Sequence, residues 1–293
     1  MNANQFKGTG VALVTPFDNN GNIDYKALEK LTNHVIENGV QFLVALGTTA
    51  ETPTLSDDEK ISVLSIIQEV NNSRVPLVCG IGGNNTSDIL KKFEYYNLEK
   101  VDAILSVSPY YNKPSQAGII AHFEKLNTNT PKPIILYNVP GRTGSNMTAQ
   151  TTLHLAKNCK NIIGVKEASG NLVQCMEIVK NAPDNFTLLS GDDNLILAQI
   201  ACGFHGVISV AANCFTKDFC NMVNHALANQ FNEARTLHYK LLEGIDLLFA
   251  EGNPAGVKCV LAEMGILQNE FRLPVVSVSE TTKLKIQQFL KTI

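Results

Sequence analysis

Short apolar runs rich in β-branched residues recur along the chain, and each is followed by a stretch with the apolar spacing of a helix. The runs are spaced by roughly 20 to 35 residues, which is the length of one β-α unit. Near-continuous apolar strands that alternate with helices are typical of a parallel sheet covered on both faces. The predicted strands are residues 10–17, 42–49, 76–83, 102–109, 133–140, 161–169, 186–193 and 206–213.

The segments between these runs carry helix signals. Residues 24–39 place Leu28, Leu31 and Val35 on one face and end at Gly39. Eight β-α repeats close most economically into an α/β fold of the (β/α)8 TIM-barrel type. An open doubly wound sheet is the alternative, but it would leave exposed edges, and no Gly-rich dinucleotide fingerprint follows the first strand.

The strand pattern ends near residue 216, and only helical spacing follows. Residues 216–230 are predicted to form the eighth barrel helix, and 231–250, 253–265 and 281–293 to form further helices. We therefore expect a catalytic barrel over residues 1–228 and a small C-terminal helical domain over 229–293. A barrel does not need the second part, which could support a lid or contact another subunit.

Composition narrows the possible partners. A net charge of −3 with 17% charged residues implies no basic face large enough for nucleic acid. The polar first ten residues do not resemble a signal peptide, and no apolar run approaches the roughly 18 residues that span a bilayer. The seven cysteines and six histidines lack metal-ligand spacing. We expect a cytoplasmic protein with reduced, buried thiols, no metal site and no membrane partner.

The sixth predicted strand ends at a lysine, Lys166. Gly164 and Ala168 share its face, so its amine is expected to have room inside the barrel mouth, whereas Glu167 points to the opposite face. One interpretation is a lysine that reaches solvent or forms an ion pair at the barrel rim, although alternation argues against Glu167 as its partner. The other is a nucleophile: burial destabilises the ammonium and favours the free amine, which can form an imine with a ketone.

Other strand ends supply matching polar groups, and in a barrel these ends lie together. Tyr137, at the end of the neighbouring fifth strand, could carry protons beside an imine, although alone it would more often be a core residue. Thr48 and Thr49 could offer hydroxyl and N–H groups to a carboxylate, or could simply form a turn. Arg142 could bind a carboxylate through two hydrogen bonds. The set suits a carbonyl substrate that bears a carboxylate.

Six motifs together resemble the dihydrodipicolinate synthase family: GTTAETPTL, SPYYNKPSQ, YNVPGRTG, GVKEASG, LSGDDNL and GVISVAAN. They occur in order over essentially the whole chain. The resemblance implies a barrel with a C-terminal helical domain and condensation of pyruvate with L-aspartate 4-semialdehyde followed by cyclisation, in diaminopimelate and lysine biosynthesis. It also implies that no cofactor is needed and that the protein forms a homotetramer of two tight dimers.

The resemblance also implies roles for individual residues. Lys166 matches the lysine that forms the imine, Tyr137 the tyrosine that moves protons, and Thr48 the relay hydroxyl. Tyr111 matches a relay tyrosine that the family inserts from the neighbouring subunit. The implied substrate-binding residues are Thr49 for the pyruvate carboxylate, Ile208 for its backbone against pyruvate, and Arg142 for the semialdehyde carboxylate.

Arg142 also discriminates among related activities. N-acetylneuraminate lyases and 2-keto-3-deoxy sugar-acid aldolases share the lysine and the tyrosine but typically lack this arginine. They remain the alternative, with a catalytically inactive binding barrel as a remote one.

A possible effector pocket departs from the family pattern. Asn84 and Tyr110 match the residues of lysine-inhibited members, Asp88 replaces a glutamate, and Asp57 and Lys60 stand where those members carry histidines. A fixed cation at Lys60 would repel the ammonium of a lysine ligand. We therefore expect weak or absent feedback by lysine.

Overall fold

The computed structural model describes residues 3–293, with side chains from residue 5 onward. Eight parallel strands form a closed barrel in which each strand pairs with the next and β8 pairs with β1, as predicted. The strands are β1 Gly8–Ala12, β2 Phe42–Ala45, β3 Leu77–Gly80, β4 Ala103–Val107, β5 Ile134–Asn138, β6 Ile162–Glu167, β7 Thr187–Ser190 and β8 Gly206–Ser209.

The predicted strand ends were less accurate than the strands themselves. The first run was predicted over residues 10–17, but β1 begins at Gly8 and ends at Ala12. Leu13 and Val14 stay buried beyond the end of β1, although only Leu13 still donates its N–H to β2, to the Val44 oxygen at 3.1 Å. The apolar pattern therefore continues past the strand. In the second run, the residues from Thr48 onward form a short 3-10 helix at the barrel mouth.

Helices follow the strands in the predicted alternation, and local caps fix their starts. The Asp24 side chain accepts a hydrogen bond from the N–H of Ala27 at the first helix, and Ser56 and Glu59 form a capping box at the second. The helices are α1 Tyr25–Glu37, α2 Asp57–Asn71, α3 Thr86–Tyr95, α4 Gln116–Asn129, α5 Pro140–Thr143, α6 Ala149–Asn158, α7 Leu172–Asn181, α8 Ile196–Ala201, α9 Thr216–Leu227, α10 Phe231–Phe249, α11 Ala255–Glu263 and α12 Glu280–Leu290.

Apolar side chains pack in two regions. A large cluster lies between the strands and the surrounding helices, and a smaller one, including Phe42, Ile135 and Ile208, fills the barrel interior. The interior is thus packed, and open space is left to the carboxyl ends of the strands. Six of the seven cysteines are buried, as expected.

The C-terminal helices α10, α11 and α12 pack against one another, and α10 packs onto α9 of the barrel. Phe289 of α12 lies edge-on to Phe215, with ring centroids 5.7 Å apart. A domain boundary at residues 228 and 229 stays a prediction. Within residues 3–293, no helix combines the length and apolar character needed to cross a membrane.

Candidate active site

Lys166 lies at the end of β6 and faces the barrel mouth. It pairs in register with Tyr137 of β5, its Nζ lies 4.3 Å from the centroid of the Tyr137 ring, and it is only 6% exposed. Glu167 points the other way and accepts hydrogen bonds from Asn138 Nδ2 at 3.1 Å and Gln174 Nε2 at 3.2 Å. The opposite orientation predicted from strand alternation is confirmed, and Glu167 is not the partner of the lysine.

The space around Lys166 comes from an adjacent strand rather than from its own. A Cβ at Gly164 would lie 2.6 Å from the carbonyl oxygen of Thr187, so this glycine permits close packing of β6 on β7. A Cβ at Gly191, just after β7, would lie 2.9 Å from Lys166 Cε and 2.5 Å from the Cβ of Ala168. Gly191 therefore provides room beside the Lys166 side chain, where the sequence predicted that Gly164 and Ala168 would provide it.

Two carboxyl groups follow Gly191: Asp192, which is half-buried, and Asp193, which is buried. Burial raises the pKa of both and that of Asp193 to about 6, whereas the charge of Lys166 acts in the opposite direction. Asp193 Oδ2 accepts the N–H groups of Val210 at 2.9 Å and Ala211 at 2.8 Å, which ties the end of β7 to the turn after β8. Lys166 is thus close enough to both carboxyl groups for its charge to lower their pKa, while burial favours their neutral forms.

A cavity of about 550 Å³ opens at the carboxyl ends of the strands, and Lys166 and Tyr137 both line it. Arg142, on the short helix α5, and Thr48, in the turn after β2, are exposed side chains that line the same cavity. The predicted lysine, phenol, hydroxyl and guanidinium therefore share one space, which is large enough for a small ligand.

Three other predicted site residues do not line this cavity. Thr49 is buried, and its Oγ1 accepts a hydrogen bond from Asn253 Nδ2 at 3.0 Å. Ile208 is fully buried in the barrel interior. Tyr111 is 87% exposed and does not line the cavity of its own chain, and its backbone has a left-handed φ of 77°.

The predicted effector residues separate into two groups. Lys60 and Tyr110 line the cavity, and Lys60 Nζ forms an ion pair with Asp57 Oδ1 at 3.0 Å. Hydrogen bonds from Lys60 and Tyr95 hold the pKa of Asp57 below its usual range. Asn84 contacts the rim by donating to the backbone oxygen of Tyr110 at 3.3 Å.

Asp88 belongs to the second group, because it makes its contacts at the exposed start of α3. Its Oδ2 accepts from Asn85 Nδ2 at 2.8 Å, and its Oδ1 lies 3.7 Å from Lys91 Nζ. The structure therefore does not bring Asp88 into the cavity with Lys60 and Tyr110.

The sequence analysis missed a contribution from the C-terminal part of the chain. Asn253, Pro254, Pro274 and Val275 line the cavity beside residues of the strand ends. Because they come from outside the eight β-α repeats, reading the ends of the strands could not find them. Glu51, which follows the two threonines, also lines the cavity and carries a buried carboxylate.

The chain forms a closed (β/α)8 barrel, and a buried lysine lines the cavity at the carboxyl ends of its strands. This arrangement is typical of enzymes that carry their active site at that end of the barrel. Residues 5–293 match the profile of the dihydrodipicolinate synthetase family, and the chain belongs to this family. It is therefore a lyase of the pyruvate-dependent class I aldolase superfamily.

Proteins similar to this chain over their full length carry names of the same family. The 4-hydroxy-tetrahydrodipicolinate synthase of Flavobacterium psychrophilum is 49% identical over 98% of each chain. A solved dihydrodipicolinate synthase has a TM-score of 0.94 at 44% identity over 98% of both chains. A chloride-inhibited dihydrodipicolinate synthase from Acinetobacter baumannii, solved in complex with pyruvate, has a TM-score of 0.95 at 36% identity over 98% of both chains.

Proposed function

We propose that the protein condenses pyruvate with L-aspartate 4-semialdehyde through an imine on Lys166 and then closes the ring, as a 4-hydroxy-tetrahydrodipicolinate synthase. The observation that carries this proposal is the placement of the Lys166 amine, buried over the Tyr137 ring in a cavity that Arg142 also lines. The names of full-length relatives support the same substrates.

Imine formation begins with attack of the Lys166 amine on the keto carbon of pyruvate, whose oxygen leaves as water after protonation. The iminium then withdraws electrons from the methyl group, which loses a proton to give an enamine. Tyr137 is the proton carrier because its side chain lies against the Lys166 amine. The hydroxyl of Thr48 passes protons onward at the cavity wall.

The enamine carbon next attacks the aldehyde carbon of the semialdehyde and forms the new carbon–carbon bond. The amine of the bound semialdehyde then displaces the Lys166 nitrogen by transimination, which closes the ring and regenerates the free lysine. Arg142 binds the carboxylate of the semialdehyde, for which its planar guanidinium is suited. No step requires a redox group.

Pyruvate is held by the turn after β2. Thr48 of this turn lines the cavity, and the family resemblance assigns the pyruvate carboxylate to the next residue, Thr49. The Thr49 hydroxyl accepts from Asn253 Nδ2 and keeps its own hydrogen as a donor, but it lies behind the cavity wall, so the turn must move for this contact to form. The resemblance also assigns the backbone of Ile208, near the end of β8, to the keto acid.

We also propose a cytoplasmic homotetramer built from two dimers, in which Tyr111 enters the cavity of a neighbouring subunit. Its high exposure and its position outside the cavity of its own chain support this role.

Borohydride trapping tests the imine directly. With pyruvate and borohydride, we expect one three-carbon unit at Lys166 and none at Lys258, a second buried lysine that serves as the internal control. Lys166→Arg should take up no label. Turnover of pyruvate and the semialdehyde, measured with a coupled reductase, should accompany labelling. Release of pyruvate from N-acetylneuraminate or a 2-keto-3-deoxy sugar acid, without semialdehyde turnover, would overturn the proposed substrates.

A further inference from the structure

We propose that Lys258 is a positioning residue for the pyruvate site, through an ion pair with Glu51 that fixes the turn carrying Thr48 and Thr49. The proposal rests on the function proposed above. It makes α11, a helix outside the barrel, part of the apparatus that binds the keto acid.

The ion pair is completely enclosed. Lys258 Nζ lies 2.5 Å from Glu51 Oε1, and the two side chains are 0% and 1% exposed. Nζ also donates to the backbone oxygen of Glu270 at 2.9 Å and lies 4.2 Å from the centroid of the Phe17 ring. The second carboxylate oxygen of Glu51 accepts the N–H of Arg272 at 3.3 Å. These contacts hold both the Lys258 ammonium and the Glu51 carboxylate in one orientation.

Glu51 transmits this anchoring to the backbone of the turn. It adopts a left-handed conformation, with φ 51° and ψ 33°, immediately after the 3-10 helix Thr48–Ala50. Non-glycine residues rarely adopt this conformation unless their surroundings hold them there. The N–H of Glu51 donates to the Thr48 oxygen at 3.2 Å, and the Glu51 oxygen accepts from the Thr54 N–H at 2.9 Å. Moving the Glu51 side chain would therefore move Thr48.

Two further contacts from the same part of the chain reach this turn. Asn253, just before α11, donates to the Thr49 hydroxyl at 3.0 Å. Arg272 donates to the Thr54 oxygen at 3.0 Å and binds Glu59 of α2 through both Nη atoms at 2.7 and 2.6 Å. The C-terminal segment thus holds the turn at residues 49, 51 and 54.

Stability alone does not account for an ion pair at this place. Burial lowers the pKa of Lys258 to about 8, against the attraction of Glu51, so enclosing the ammonium carries a desolvation cost. Replacing a buried ion pair by apolar residues of similar volume is often neutral or stabilising. An apolar pair could hold α11 in place, but it could not supply hydrogen bonds that set the direction of the Glu51 side chain.

The test compares pyruvate affinity with stability. Lys258→Met should raise the pyruvate concentration that half-saturates borohydride trapping at Lys166 by about tenfold or more, because small displacements of binding groups are costly. Leu261→Ala is the matched control: Leu261 is fully buried on the same helix and is not part of the ion pair. It should lower Tm but leave the half-saturating concentration within about twofold of wild type.

A double variant separates positioning from folding. Glu51→Leu with Lys258→Met should recover Tm, because no charge is left buried alone, but should not recover pyruvate affinity. Recovery of both, an unchanged half-saturation in Lys258→Met, or an equal rise in the Leu261→Ala control would overturn the proposal. If Lys258→Met does not fold, Glu51→Gln gives the same readout. Wild-type protein that is not labelled at Lys166 would instead contradict the proposed function.

Discussion

Gly191→Ala tests the geometry around Lys166 without removing any chemical group from the site. The added methyl carbon would lie 2.5 Å from the Cβ of Ala168 and 2.9 Å from Lys166 Cε, whereas ordinary contacts begin near 3.4 Å. Something must therefore move by about 0.5 to 1 Å, and overpacking of this kind costs about 1–3 kcal/mol. Since 1 kcal/mol shifts the Tm of a chain this long by about 2 °C, we expect a fall of roughly 2 to 6 °C.

The same variant should slow imine formation. The Cε of Lys166 must move away from the new methyl group, and a displacement of about 1 Å at a reacting atom can cost about 100-fold in rate. We expect borohydride trapping of pyruvate to slow by about 10- to 100-fold. Stopped samples with mass determination of the labelled peptide give this rate, and a thermal melt gives Tm.

The two close contacts can be separated with Ala168→Gly in the same chain. This second change removes the 2.5 Å contact with Cβ but leaves the 2.9 Å contact with Lys166. We expect Tm to recover most of its loss and the trapping rate to recover only in part. A wild-type trapping rate in Gly191→Ala, or full recovery of both quantities in the double variant, would refute the idea that Gly191 provides the space for the lysine.

Three further predictions follow from the charges and the cavity. Arg142→Leu should lower kcat/KM for the semialdehyde by one to two decades, since a charge-assisted contact contributes about 1.5–3 kcal/mol, while pyruvate trapping is unchanged; an equal loss for both substrates would contradict this role. Burial lowers the pKa of His122 to about 4. The stability that this neutral imidazole contributes is therefore complete above pH 6.5 and is lost as pH falls through 4. His122→Gln should flatten the acid side of the curve of unfolding free energy against pH by up to about 3 kcal/mol, and an unchanged curve would argue against this role. Millimolar lysine should leave turnover nearly intact because Lys60 lines the cavity, and abolished turnover would refute that expectation.

The barrel could be predicted from the sequence because its signals are local and repeated. Each buried strand is a short β-branched run, and strand alternation placed Lys166 and Glu167 on opposite faces. The ends of the strands were harder, since Leu13 and Val14 continue the apolar pattern beyond the last residue of β1. Burial, which the pattern reports, and strand pairing, which it does not, end at different residues.

The space around the lysine could not be assigned correctly from its own strand. Gly164 shares the face of Lys166 and was the natural candidate, but its missing Cβ faces the backbone of Thr187. The residue that provides the space, Gly191, follows directly after the neighbouring strand β7. Side-chain space in a barrel is set by neighbours across the sheet, and a single sequence does not reveal their register.

The contacts from the C-terminal helices were the least accessible to sequence reasoning and have the widest consequence. Glu51 and Lys258 are separated by 207 residues, and neither position has a local pattern that indicates its partner. If the chain is divided near residue 228, the division separates the threonines of the turn after β2 from Asn253, Lys258 and Arg272, which hold that turn. The barrel supplies the proposed nucleophile and the proton carrier, but the position of the proposed carboxylate-binding turn is set from outside it. The functional unit is therefore larger than the barrel, and the C-terminal helices belong to the site as much as to the architecture.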